Sequence, residues 1–366
     1  MPVSPVRESC ALAAPVTAVP DTDRKAASTM RSYHLSPGAA PFGLARREHA
    51  VPEPGPGQAL VRMRANAVGF RDTLVREADY PLPLAEGVVA GCEGVGEVVA
   101  VGAGVSGVAE GDRVALTVFP HWLDGPFAVA YAAQLGGSVD GALAEYAVVA
   151  ESALVRLPGH LSYEEAVALP LGWLTAWNAL TGGRRVLPGE TVVALGTGGV
   201  SLAVVRLAAL AGARVVVTSG DVAGKAGRLR ALGAHHVLDR RGDWPAEVRE
   251  LTGGRGAELV VDVAGSVAES LRAGALGGEV AYVGYRVGDA VTGPPVDARL
   301  LFDSGVGVRG VAVGSRAQLV SLMGAVEVHG LRPVVDRVFG FGEVDGALAW
   351  HASGRAFGRV VVSHEG

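Results

Sequence analysis

Cysteine is nearly absent: the 366 residues contain Cys10 and Cys92 and no other thiol. Their contexts differ, so the chain offers neither a disulfide framework nor a tetrahedral Cys/His zinc pattern, and a reducing, cytoplasmic setting is expected. A basic face is missing too. The formal net charge is −5 and Lys and Arg are dispersed, which argues against nucleic acid or an anionic membrane and for a small-molecule partner. Residues 1–29 match an export signal poorly, with Arg7 beside Glu8 and Pro15 inside the apolar run Ala11–Val19. They read as a flexible extension ahead of a fold that begins near Met30.

Against these absences stand a hydrophobic content of 49% and 53 glycines scattered among Val-rich segments, the composition of a globular chain with many tight turns. The length exceeds what one core usually serves and suggests two domains.

The stretch Thr191–Ser219, TVVALGTGGVSLAVVRLAALAGARVVVTS, reads as strand, glycine turn, helix and second strand. Gly196, Thr197, Gly198 and Gly199 would turn the chain tightly into a helix starting near Val200, whose N-terminal N–H groups and dipole favour a phosphate. Ser201 stands where the dinucleotide fingerprint has its third glycine. A membrane span is the competing reading, opposed by Arg206 in mid-stretch and by glycines clustered where a turn is wanted.

Upstream, 30–160 shows short strands between Gly and Pro, a β-rich, barrel-like pattern. Helical spacing takes over at Leu161–Leu180, with Ser162 and Glu165 placed as a capping box. Further strands at His236–Leu238, Glu258–Val263 and Glu279–Val283 alternate with helical stretches, so 161–314 reads as a doubly wound Rossmann unit and 315–366 as a return to the first domain. The fold class is thus α/β.

Several motifs together, GCEGVGEVVAVG at 91–102, GDRV at 111–114, DGALAEYAVV at 140–149, LTAWNAL at 174–180, GTGGVSL and RPVVDRVF at 332–339, strongly resemble the medium-chain dehydrogenase/reductase superfamily, in its zinc-independent, quinone-oxidoreductase-like branch. The resemblance covers Met30 to the C-terminus. It implies a GroES-like catalytic domain, a Rossmann domain, hydride transfer in the cleft between them, and a homodimer joined through Leu300–Val313.

The resemblance also allows a position-by-position reading of the metal site. Zinc-binding members carry a Cys, a His-Glu pair and a second Cys, where this chain has Gly69, Cys92 before Glu93, and Leu171. No catalytic metal is expected. Arg71, Asp72 and His121 become the candidates for stabilising or protonating a developing oxyanion. For Arg71 and Asp72 the competing reading is an ion pair that stitches strand to loop.

Cofactor choice should turn on Ser219 at the end of the second strand, where an acid would select NAD. Thr218, Ser219 and Lys225 favour NADPH, with NADH possible because Asp221 lies two residues on. By the resemblance Arg359 contacts pyrophosphate, while Thr175, Ala264, Val283, Gly284 and Tyr285 lie at the nicotinamide. The expected activity is NADPH-dependent reduction of a carbonyl or conjugated enone. Alternatives are a non-redox cyclase or isomerase on the same scaffold and a dinucleotide sensor without turnover.

Overall fold

The computed structural model describes residues 29–37, 42–284 and 296–365. Among them a six-stranded sheet runs in the spatial order His236–Asp239, Arg214–Ser219, Thr191–Leu195, Ala257–Asp262, Gly274–Tyr282, Gly307–Gly310, and every pairing is parallel. Parallel strands covered on both faces have no wet side, which is why Thr191–Leu195 is apolar and buried along its whole length. The strand order reverses on either side of Thr191–Leu195. Its carboxyl end therefore opens onto the crevice where doubly wound sheets bind ligands.

The second sheet is centred on Gln58–Val68, which pairs antiparallel with Gly94–Val101, Tyr146–Ala150 and Arg359–Ser363. Arg359–Ser363 also lies parallel to Val335–Gly340, so the end of the chain is sewn into the β domain next to one of its first long strands. That connection decides the site, because Arg359 begins the strand and is carried to the domain boundary.

The segment expected to be one helical run over Leu161–Leu180 is in fact three pieces. The Ser162–Glu165 capping box starts the helix Tyr163–Ala166, a π-helical turn follows at Leu169–Trp173, and Leu174–Thr181 resumes the α-helix. Pro170 supplies the reason. It lacks an N–H and crowds the preceding turn, and the ladder slips by one residue so that Trp173 N donates to Ala168 O at 3.1 Å. The helix Val267–Ala273 ends at Gly274, which opens the strand Gly274–Tyr282.

Candidate cofactor and active site

Leu195 ends its strand and Gly196 turns the chain at φ +83°, a left-handed conformation that a side chain would resist. The helix Gly199–Leu210 begins immediately, capped by Gly198, which has no side chain to satisfy the first N–H groups. A Cβ at Gly198 would meet nothing within 4 Å, so this face of the turn is open for a ligand. Ser201 fits the third-glycine position because its hydroxyl, buried, donates to Leu195 O at 2.7 Å and ties helix to strand. An exposed helix start above a glycine turn, with no side chain capping it, has the N–H groups and dipole that favour a phosphate.

A cleft of about 860 Å³ opens on this turn. Its walls bring together Gly196, Thr197, Gly198, Gly199, Ser219, Lys225, Ala264 and Arg359 of the expected cofactor residues. Lys225 reaches the turn, with Nζ 3.0 Å from Thr197 Oγ1, and Arg240 lines the outer wall over Gly220. Asp221, the acid that could have read a ribose hydroxyl, instead accepts from Gly224 N at 2.9 Å and caps the helix Val222–Ala231.

Thr218 needs correction. Its buried hydroxyl accepts from Gly196 N at 3.2 Å, so it braces the turn from behind and does not face a ligand. Thr175 is buried in its helix, and Thr175, Val200, Val283 and Gly284 are not on the walls of this cleft. Tyr285 lies outside the described residues.

Arg359 is buried and threads between three glycines. An added Cβ would lie 3.1 Å from its Nη1 at Gly69, 3.7 Å from its Cδ at Gly172 and 2.3 Å from its Cδ at Gly199. Beyond them the guanidinium forms an ion pair with Glu93, which is 1% exposed. Burial pushes the Glu93 carboxyl up to about 7, opposed by the Arg359 charge and reinforced by nearby Asp72. The expected pyrophosphate contact is thus also the counter-ion of a buried acid.

Arg71 and Asp72 sit behind this group at the start of the helix Phe70–Arg76. They make no ion pair with each other among the described residues. Arg71 donates to Gln134 Oε1 and, at 3.2 Å, to Leu135 O, and lies over the Tyr80 ring. It is a strut between helix and loop, with a pKa raised above its ordinary value despite burial. Asp72 accepts from Gly69 N at 2.8 Å and closes the helix start, and burial raises its pKa against the pull of Arg71. His121 is exposed, while its neighbour Trp122 turns inward to pack with Phe119 and Phe127. The structure does not assemble Arg71, Asp72 and His121 into one site.

Residues 55–159 match the alcohol dehydrogenase GroES-like domain and residues 199–327 the zinc-binding dehydrogenase domain. A zinc-type alcohol dehydrogenase-like protein of Schizosaccharomyces pombe is 34% identical, the alignment covering 87% of this chain and 94% of the relative. The chain belongs to the medium-chain dehydrogenase/reductase superfamily. A quinone oxidoreductase of Lama guanicoe is 28% identical across 91% of this chain and 97% of its own. Among solved structures, an NAD-dependent alcohol dehydrogenase superimposes with a TM-score of 0.82 at 34% identity, covering 91% of this chain and 99% of that one. A cobalt- and zinc-bound thermostable alcohol dehydrogenase from Pyrobaculum aerophilum gives 0.77 at 27% identity, covering 92% and 99%. Like these relatives, the chain is an oxidoreductase of this superfamily.

Within the superfamily the zinc positions can be tested on their donors. Gly69 and Leu171 carry no ligating atom, which leaves one thiol, Cys92, and one carboxylate, Glu93, the latter paired with Arg359. The residues present do not fit a three-ligand catalytic zinc. Among the described residues no other group of three or more His, Cys, Asp and Glu is placed to hold a metal, and no helix is long and apolar enough to cross a membrane.

Two residues of the site escaped the sequence reading. Glu93 carried a signal, a carboxylate inside an apolar strand motif, which demands a buried partner. His351, which lines the cleft from the helix Val344–Ala352, carried none.

Proposed function

We propose that this protein is an NADPH-dependent, zinc-independent oxidoreductase that reduces a carbonyl or conjugated enone or quinone of small size. The observation that carries the cofactor reading is the outer wall of the cleft, where Ser219, Lys225 and Arg240 present donors and Asp221 is committed to its helix cap. A 2′-phosphate would find two cations there, Lys225 and Arg240, against the one carboxylate of Asp221 on the same wall.

The bound dinucleotide would supply the hydride. The chain's own contribution is to hold phosphates at the uncapped helix start and to keep the reacting groups together, a positioning effect that can be worth ~7–11 kcal/mol. Without a Lewis acid the product oxygen must be stabilised by hydrogen-bond donors or solvent. Arg71 is not the acid in this reading, because its raised pKa keeps its proton and its two terminal nitrogens are bound to the Gln134–Leu135 loop. We assign the proton to solvent entering past Phe70, which is 45% exposed at the lip of the cleft. Substrates that stabilise their own product anion, such as enones and quinones, suit a site of this kind.

The reading extends to assembly. Gly307–Gly310 is the edge of the Rossmann sheet and carries Val308, 44% exposed, and the helix Ala298–Ser304 just before it carries Phe302, 86% exposed, a surface suited to joining two copies in a homodimer. Binding titrations with NADPH and NADH test the cofactor assignment: tighter binding of NADPH, reversed in Ser219→Asp, is expected. Equal affinities, or no effect of Ser219→Asp, would refute it.

A further inference from the structure

One titratable side chain in the cofactor cleft has no task in the reading above. His351 stands near the end of the helix Val344–Ala352 and faces the same cleft as the glycine turn, beside Phe70, Thr73 and Arg359. Its ring makes no hydrogen bond among the described residues. The residue before it shows the contrast. Trp350 is committed to protein, donating to Asp336 Oδ2 at 2.8 Å and covered by Arg337 and Arg355 at 3.7 and 4.2 Å from its ring centroid. A half-buried imidazole with both nitrogens free, on the wall of an anion cleft, is a donor without an acceptor.

The charges around it explain its state. Arg359, on the strand packed beneath the helix, acts directly on His351. Of the other groups on elements packed against the helix, Asp336 is held by Trp350 and Phe357 N, Arg337 lies on Trp350, and Arg64 pairs with Glu97. On the neighbouring helix Phe70–Arg76, Asp72 is held by Gly69 N and Arg71 by Gln134, with Arg76 in its last turn, while Glu343 accepts from Gly340 N. Among the described residues no carboxylate pairs with His351. Burial and then the Arg359 charge accordingly push its pKa down to about 4, which leaves it neutral when the cleft holds no anion.

A pyrophosphate would reverse that balance, because it brings negative charge to a wall where Arg359 is already paired with Glu93. We propose that His351 is a pyrophosphate-binding residue of the cleft, donating to a phosphate oxygen and taking up one proton from solvent as the dinucleotide binds. This rests on the dinucleotide reading above. It makes cofactor affinity pH-linked: between the free and bound pKa values, each unit of falling pH tightens binding up to tenfold, and the gain fades as pH rises past the bound value.

The test is calorimetric titration of the full chain with NADH and with NADPH from pH 5 to 8, in buffers of different ionisation enthalpy, for wild type, His351→Gln and His351→Lys. NADH has no 2′-phosphate to titrate in the same window, and for NADPH that titration is common to all three proteins. Wild type should take up close to one proton per dinucleotide at the acidic end. Relative to wild type, His351→Gln should take up about one proton fewer and bind about tenfold more weakly there, and His351→Lys, charged throughout, should bind tightly with the same reduced uptake. Binding by wild type and His351→Gln with the same uptake would overturn the proposal and leave the dinucleotide reading standing. Failure of wild type to bind either dinucleotide would overturn both.

Discussion

Arg359 occupies the space that a side chain at Gly69 would need, its Nη1 lying 3.1 Å from where a Cβ would begin. The backbone at Gly69 is extended, with φ −151°, so any residue could adopt it, and only the room left by Arg359 is limiting. Zinc-binding relatives have a cysteine here, as the family resemblance implies, and this chain has given the volume to a guanidinium. Gly69 and the buried Arg359–Glu93 pair thus share one space.

Restoring the cysteine should not restore a metal. In Gly69→Cys the new side chain must displace Arg359, at a cost of about 1–3 kcal/mol for overpacking, and no zinc should be retained because Leu171 still offers no ligand. Denaturant unfolding and metal analysis of the purified variant check both. Zinc bound at one equivalent with unchanged stability would contradict it.

Removing one member of the buried pair should be worse than removing the other. Arg359→Met leaves the Glu93 carboxyl buried without its cation and should cost about 3–5 kcal/mol, most of it above pH 7, where Glu93 is ionised. Glu93→Gln keeps a neutral acceptor and should cost less at pH 8 than Arg359→Met does. Urea midpoints of the two variants at pH 6 and pH 8 give the comparison, and equal losses at both pH values would tell against a buried charge.

Cys92 should be chemically silent. It is 1% exposed with its thiol pushed up to about 12 by burial, so at pH 8 the thiolate fraction is negligible. Peptide mapping after alkylation should find Cys92 unmodified in the native protein and modified in urea. Rapid native labelling of Cys92 would contradict the site as described.

His364 should make the fold acid-sensitive. Its Nε2 donates to Asn66 Oδ1 at 2.6 Å, Asn66 being fixed by its own bonds to Glu93 O and Ala142 O, and its Nδ1 is buried without a partner. Burial pushes its pKa down to about 4. A depressed histidine stabilises the fold fully above its unfolded value of ~6.5, and that contribution is lost as pH falls toward 4, at up to ~1.4 kcal/mol per pH unit. Unfolding free energies between pH 7 and 4 should show this slope in wild type and a shallower one in His364→Gln.

Much of this was readable in the sequence, for definite physical reasons. The strand, turn and helix from Thr191 to Leu210 are local, so propensity and glycine spacing announce them, and the missing zinc ligands follow from residue identity alone. The threading of Arg359 between Gly69 and Gly199 is not local. It depends on the last strand pairing beside Gln58–Val68, which brings residues far apart in the chain into contact. Arg71 looked catalytic because it lies two residues after a position where zinc-binding members carry a ligand. Its commitment to Gln134 and Leu135 needs a loop conformation that no motif encodes. Thr218 failed similarly: strand alternation says which face a side chain takes, and the backbone of the turn at Gly196 claimed that face first.

The most direct measurement is reduced-nicotinamide oxidation by exhaustively chelated protein, followed by absorbance across a panel of enones, quinones and aldehydes with NADPH and NADH. Turnover that survives chelation, does not rise when zinc is added back, and has the higher kcat/KM with NADPH is the predicted result. Turnover that vanishes on chelation and returns with zinc would contradict the account.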